Sequence, residues 1–336
     1  MEFTTGGRLE VRITAADTGK RVSVRRLSSS GTPGSLFTDT VGVLTSWDDG
    51  VLSITRKSGE TVRIDESALV AGKVVPAAPA RRRGPAASFE ELAPVLARAW
   101  QPVESERLGL WTLRAAAGFT RRANSVLPLG DPGIPLPDAL AYVRDWYAAR
   151  GLPAYVQVAT GAAGTQERLC ADLEQAGWER EVSAEVRIAA LAPIGDLDAD
   201  VAGVTLARTV DEAWLSRYQR SVTPGEHVLK VLNSGPSVWF ASVPGDGGAA
   251  PAAIGRCVVD GRWAGFMAVE VDPAHRRRGL ATAVMCALAR RALDEGASAA
   301  WLQVEADNEG ARVLYEGQGF ATHHSYHHFR PHVRTS

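Results

Sequence analysis

The sequence predicts an α/β chain: two strand-helix regions that repeat one another, behind a small all-β module. Three observations predict this. About the first 70 residues hold short Val/Ile/Thr-rich runs broken by turn residues. Apolar stretches of alternating helix and strand period then take over, and two of their segments recur at a nearly constant offset. The 336 residues suit two or three domains, and 45% hydrophobic with 22% charged residues is ordinary folded composition rather than disordered or fibrous. With 37 basic against 38 acidic residues the net charge is -1, so no global pull toward nucleic acid or an anionic membrane is expected. Cys170, Cys257 and Cys286 are far apart, odd in number and without CxxC spacing, which fits neither a disulfide framework nor a zinc knuckle and points to a reducing cytoplasm. No apolar h-region opens the sequence and nowhere do about 18 apolar residues run uninterrupted, so neither secretion nor a membrane span is expected.

Taken in order, the runs 8–13, 21–27, 41–47, 51–56 and 60–64 read as five strands. Asp48-Asp49-Gly50 and Lys57-Ser58-Gly59-Glu60 supply hairpin turns between them. Five short strands over residues 1–75 predict a small barrel. Residues 76–87, PAAPARRRGPAA, have three prolines and no apolar period, and read as a linker whose Arg81, Arg82 and Arg83 are solvated. Ser88 and Glu91 form a capping-box pattern ahead of a helix that Pro94 interrupts. Strands at 108–116 and 122–130 follow, then a helix with Leu140, Val143 and Tyr147 on one face and Gly151 as its stop. A strand at 154–159, a helix at 166–177 and a strand at 181–191 complete a first α/β region, 88–195.

The second region, 202–336, repeats that order. It reads as strand 203–209, helical segments in DEAWLSRYQ and GEHVLKVLN, and strands 238–243, 252–259 and 263–271, the last two joined by Asp260-Gly261. A helix from Gly279 carries Leu280, Val284 and Leu288 at helical spacing and stops at Gly296. Strand 299–306, helix EGARVLYEGQG and a strand-like ATHHSYHHF end it. AYVQV (154–158) pairs with AWLQV (300–304) and EQAGW (174–178) with EGQGF (316–320), at offsets of about 146 and 142 residues.

The chemistry gathers in VEVDPAHRRRGLATAVM, 269–285. Pro273 ends a strand, and Arg276-Arg277-Arg278-Gly279-Leu280-Ala281 runs straight into a helix whose unpaired N–H groups and dipole suit a phosphate. Gly279 and Ala281 let a ligand approach the backbone. Downstream, Asn308 ends a strand and Tyr315 lies two helical turns later on nearly the same face, with Ala311 between and Gly319-Phe320 after.

These residues resemble the GNAT superfamily of acetyl-CoA-dependent N-acetyltransferases. The family's acyl-CoA loop, Gln/Arg-x-x-Gly-x-Gly/Ala, is matched by Arg276, Gly279 and Ala281 after Val271 and Pro273, and its downstream Asn, Tyr and Gly-Phe by Asn308, Tyr315 and Gly319-Phe320. The match covers about 203–330; residues 88–191 look like a degenerate copy, with GDPGIPLPDAL (130–140) in place of the loop and no tyrosine before Trp178. The layout is similar to actinobacterial tandem-GNAT proteins with an N-terminal SH3-like module.

The resemblance implies an α+β GNAT fold in tandem and acetyl-CoA as cosubstrate. It implies amides near Val269 and Val271 polarising the acetyl carbonyl and Tyr315 as general acid. Glu270 and Glu305 are candidate bases. Gln303 stands where N-terminal acetyltransferases of the family often carry a glutamate, which turns the expectation from protein N-termini to a small-molecule primary amine. A protein lysine acceptor and a non-catalytic acyl-CoA sensor are the alternatives. His323, His324, His327 and His328 are not read as a metal site, because adjacent residues of a strand point to opposite faces and no carboxylate or cysteine completes a set. One or two of them, or Tyr326, are expected near the acceptor.

Overall fold

In the computed structural model, which describes residues 10–27, 37–55, 61–75, 85–218, 225–248 and 250–332, the chain divides into two units, Met1–Arg82 and Arg83–Ser336. The first holds β1 (Arg21–Leu27), β2 (Phe37–Asp48), β3 (Val51–Thr55), β4 (Thr61–Asp65) and β5 (Leu69–Val74), all antiparallel in the order β4-β3-β2-β1-β5. Asp49 and Gly50 take φ of 50° and 74°, the two left-handed residues that a tight β2–β3 hairpin requires. Val22, Val24, Leu44, Leu52, Ile54 and Ile64 form its core.

Two expectations change here. The run 8–13 is not one of the five strands: among the described residues it gives only a bridge from Val11 to Gly72, and β5, over residues not read as a strand from the sequence, takes the place beside β1. Ile13 lies 2.8 Å from where a Cβ on Gly72 would stand, so the segment crosses β5 at its glycine instead of pairing along it. The sheet is also open, with β4 and β5 at its edges, and no barrel closure is present among the described residues. The turn at Lys57–Glu60 and linker residues 76–84, including Arg81, Arg82 and Arg83, lie outside the described residues.

The second unit begins with α1 (Phe89–Arg98), capped by Ser88, whose hydroxyl accepts the Glu91 N–H at 3.1 Å. There follow β6 (Glu104–Leu108), β7 (Trp111–Ala115), β8 (Leu127–Pro128), α2 (Leu136–Ala148), β9 (Val156–Thr160), α3 (Glu167–Gln175) and β10 (Trp178–Ala190). Next are α4 (Leu191–Gly195), β11 (Thr205–Ala207), α5 (Glu212–Arg217), α6 (Glu226–Leu232), β12 (Ser237–Val243), β13 (Ala253–Asp260) and β14 (Trp263–Val271). The chain ends in α7 (Leu280–Asp294), β15 (Ala299–Glu305), α8 (Glu309–Gly317) and β16 (Ala321–Pro331). The strand expected over 122–130 shrinks to β8. Asn124 is the reason: its side chain accepts the Ala116 and Gly118 N–H groups and donates to the Phe119 and Thr120 carbonyls, folding its surroundings into a loop.

β6, β7 and β8 form a three-stranded sheet, and the remaining strands an eight-stranded one, β11-β12-β13-β14-β15-β10-β16-β9. The order is an exchange. β10, from the earlier sequence, lies between β15 and β16, while β16 lies between β10 and β9. Its register has a local two-fold: Ala184 pairs with Tyr326, and as Ala184 faces Glu305 on β15, so Tyr326 faces Ala159 on β9. Those equivalences carry the sequence offsets of 142 and 146.

The sheet has a core on each face. Leu92, Val95 and Trp100 cover Val186, Met267, Trp301 and Tyr326 on one side, and Val284 and Leu288 of α7 cover Phe266, Leu302 and Val304 on the other. At Gly255 a Cβ would lie 2.4 Å from Val284, so α7 packs against β13 only because that position is glycine. Cys170, Cys257 and Cys286 are buried free thiols, and no helix among the described residues is long and apolar enough to cross a membrane.

Candidate active site

β14 runs parallel to β15 for four pairs, from Trp263 with Ala299 to Phe266 with Leu302. Beyond them β14 bulges. Ile254 faces Glu270 while Arg256 faces Met267, so Gly255 alone opposes Ala268 and Val269, and Ala268 takes a left-handed φ of 51°. The two strands diverge from there as a V. Val269 and Val271 pack toward α7, Ala268 packs on the opposite core, and strand alternation puts Glu270 on that opposite side.

The loop leaving β14 is braced. The Asp272 side chain accepts the Ala274 N–H at 2.8 Å and is ion-paired with Arg217 of α5; His275 bonds Asp246 at 3.1 Å. The Ala274 N–H is the largest influence holding the Asp272 carboxyl below its usual range. Arg276, Arg277 and Arg278 are exposed, and the chain turns at Gly279, with φ of 79°, into α7. The helix's own ladder begins with Ala283 N–H to Gly279 C=O at 2.9 Å, which leaves the amides of Leu280, Ala281 and Thr282 without carbonyl partners inside the helix. No acidic residue stands in its first turn, and a Cβ on Gly279 would meet nothing within 4 Å. The helix end is open, positive and suited to an anion.

Across the V, Asn308 caps α8 by accepting the Ala311 N–H at 3.1 Å. Two turns on, Tyr315 is half-buried at the rim of the α7 core with its ring edge-on to Phe320 at 6.0 Å, and burial pushes its phenol up to about 12. It holds its proton throughout the physiological range. Val269, Val271, Leu280, Ala311 and Tyr315 line the rim of one and the same core.

On the α1 side of the sheet, beside the end of β15, lie two open cavities that share Arg122, Gln303 and Tyr326 in their walls. Their floor is three strands in register: Gln303, Val186 and His324 in one row, Glu305, Ala184 and Tyr326 in the next, then Val182 and His328. α1 covers the first cavity with Phe89 and Ala93, and Trp100 just past its end closes it further. Arg122 lies over the Trp100 ring at 5.1 Å and donates to Gln303. Arg114, buried beneath, donates to the Ser125 carbonyl, the Ser125 hydroxyl and Gln157, each at 2.8 Å.

Against known proteins, residues 87–329 match the family described as "Probable histone acetyltransferase Rv0428c C-terminal". The chain belongs to this family. It is thus an acetyltransferase of the GNAT type. The probable histone acetyltransferase Rv0428c of Mycobacterium tuberculosis is 28% identical over 312 residues, covering 91% of this chain and 93% of the relative. A GCN5-related N-acetyltransferase from Kribbella flavida superposes with a TM-score of 0.51 at 17% identity, over 73% of this chain and 94% of that one, and shares its fold.

In this acetyltransferase the structure gathers most of the residues singled out from the sequence and moves the emphasis of others. The Asn308 side-chain carbonyl is engaged as a helix cap. Glu305, not Glu270, is among the residues lining the cavities. The histidines do not all alternate: a register shift between Val186 and Arg187 brings His323 beside His324, with ring nitrogens 2.8 Å apart, whereas His327 and His328 do face opposite ways. His327 is held by Ser183 and Thr160 at 2.7 and 2.9 Å. Arg114, Arg121, Arg122 and Trp100 were not singled out, because nothing local marks them. The one available signal was Gln157 and Gln303, the matched glutamines of the repeat, which accept from Arg114 and Arg122 respectively.

Proposed function

We propose that the chain is an acetyl-CoA-dependent N-acetyltransferase that acetylates a primary amine by direct attack, with Tyr315 as general acid. The observation that carries this reading is the joining of three features at one rim: the V between β14 and β15, the open amino end of α7 and the protonated Tyr315. Bound there, acetyl-CoA supplies an activated acetyl thioester. Arg276, Arg277 and Arg278, the Gly279 turn and the amides of Leu280 and Ala281 would hold its pyrophosphate. Val269, Val271 and Ala311 flank the groove, and the backbone of Val269 and Val271 offers donors where carbonyl charge grows. Asn308 fixes the start of α8 and so the direction of Tyr315. As the N–C bond forms and the C–S bond breaks, the amine gives one proton to a base, Glu305 or Glu270, and the sulfur takes one from Tyr315.

In this reading residues 88–195 are a degenerate GNAT-like copy, 202–336 the catalytic one, and 1–75 an SH3-like module joined by the 76–87 linker, all in the cytoplasm. A protein lysine acceptor is the second reading, favoured by the name of the mycobacterial relative. Thiol release from acetyl-CoA, measured across amino acids, polyamines, aminoglycosides and basic peptides, tests the proposal. Amine-dependent release supports it. CoA binding without release for any acceptor would leave a non-catalytic sensor.

A further inference from the structure

Resting on the acetyltransferase reading, we infer that the cavities beside the end of β15 receive an acceptor bearing a carboxylate as well as its amine, a free amino acid or close analogue, with Arg122 and His328 binding the carboxylate. His328 is only 3% exposed and lines the second cavity, and neither of its ring nitrogens has a hydrogen-bond partner. An orphaned imidazole is costly in a folded interior, and a ligand group would satisfy it. Its surroundings fix the sign of that group. Arg121 and Arg122 line the same cavity; Arg121 is paired with Glu181 at 2.9 Å, but Arg122 has no carboxylate partner among the described residues, nor has Arg114 in the first cavity. Burial, then the charges of Arg114, Arg122 and Arg121, push the His328 imidazole down to about 3, so at neutral pH it is uncharged with one N–H to donate.

A planar guanidinium fork beside a neutral N–H donor matches a carboxylate. Among the described residues, Glu305 is the one acidic residue lining either cavity, and it lies on β15 past the point where the V opens. Because Arg122 itself bonds Gln303, the first residue of β15 beyond the paired region, the anion site and the reacting centre lie within reach of one small molecule. The same excess of positive charge disfavours a lysine-rich protein tail.

The test is calorimetric titration of the full chain, with and without CoA, by each common amino acid, by the amide and decarboxylated amine of any that binds, and by a basic histone-tail peptide. The inference expects at least one amino acid to bind, its amide and amine to bind at least about 10-fold more weakly, Arg122→Gln to cost the acid about 10-fold or more, and Arg122→Lys to restore part of it. CoA affinity should be the same in both variants. Binding of no amino acid, equal binding of acid and amide, or tighter binding of the peptide would overturn it. The acid-to-amide comparison needs no variant to fold. Loss of the acetyltransferase reading would appear separately, as failure of the wild-type chain to bind CoA while the amino acid still binds.

Discussion

The amino ends of α2 and α7 hold corresponding places in the two halves, each after the strand that precedes β9 or β15, yet their chemistry is opposite. α7 starts at a left-handed glycine with no acid in its first turn. α2 starts at Pro135 with another proline at its first positions and Asp138 in the first turn. The approach to α2 is also filled, since a Cβ on Gly109 would lie 2.4 Å from the Pro132 backbone. Proline gives no N–H and a carboxylate repels phosphate, so this end offers neither feature of an anion site. The gaps beside the two helices differ in the same way. Gln166, the counterpart of Asn308, does not cap α3; its side chain accepts the Ala159 N–H and donates to the Pro128 carbonyl, bridging β9 and β8 where β15 and β14 stand open. Leu173, fully buried, stands where the other half has Tyr315. Two backbones of one pattern thus differ through a handful of side chains: the prolines and Asp138 at the start of α2, the Gln166 bridge and Leu173.

The largest effect should come from Tyr315→Phe, which is expected to lower kcat by about 10² to 10⁴-fold with a smaller change in acetyl-CoA affinity. Leu173→Tyr, making the same hydroxyl in the other half, should leave turnover unchanged. Near-normal turnover in Tyr315→Phe would make that residue mere packing and dissolve the contrast. Next, Gly279→Glu gives α7 the acid that α2 already has, in a backbone conformation that costs a non-glycine residue about 1–2 kcal/mol. CoA affinity measured by calorimetry should fall by about 10- to 100-fold, and an unchanged affinity in a folded variant would refute the loop assignment.

Smaller still is Gln166→Ala, which leaves the Ala159 N–H and Pro128 C=O unpaired, at about 1–3 kcal/mol. A lower Tm with no new CoA site is the expected pair of results, because Asp138 and Leu173 remain. The smallest effect is a slope. On the cavity face β16 carries His324, Tyr326 and His328 where β10 carries Val182, Ala184 and Val186. Burial pushes His328 down to about 3, and His324 and, on the opposite face, His327 down to about 4. The unfolded chain therefore takes up protons from about pH 6.5 downward while the folded chain does not, so stability should fall as pH drops from about 6.5 toward 4. His328→Val should flatten that fall in a Tm-against-pH series; an identical slope would show that His328 is already satisfied.

Local chemistry made much of this legible. The Ser88 cap, the Asp260-Gly261 hairpin, the Gly279 turn and the Asn308-to-Tyr315 spacing each act within a few residues, and each sits in the structure as its own geometry demands. Features that depend on distant partners did not show. The exchange of β10 and β16 pairs residues about 140 apart with no local mark, and Ala268 takes its left-handed φ at the bulge opposite Gly255 of β13. Glu104–Leu108 is too polar to read as a strand, yet pairs with β7. Arg122 carries no local mark, and which of the histidines expected near the acceptor lines a cavity was set only by the fold, which buries His328.

The central claim is that one half of this acetyltransferase keeps the acyl-CoA site and the other has closed it. Calorimetric titration of the full chain with CoA measures this directly. One CoA per chain, weakened about 10- to 100-fold by Gly279→Glu and untouched by changes at Asp138, is the predicted result. Close to two CoA per chain, or one whose affinity is unchanged by Gly279→Glu and lost on altering residues 130–140, would contradict it.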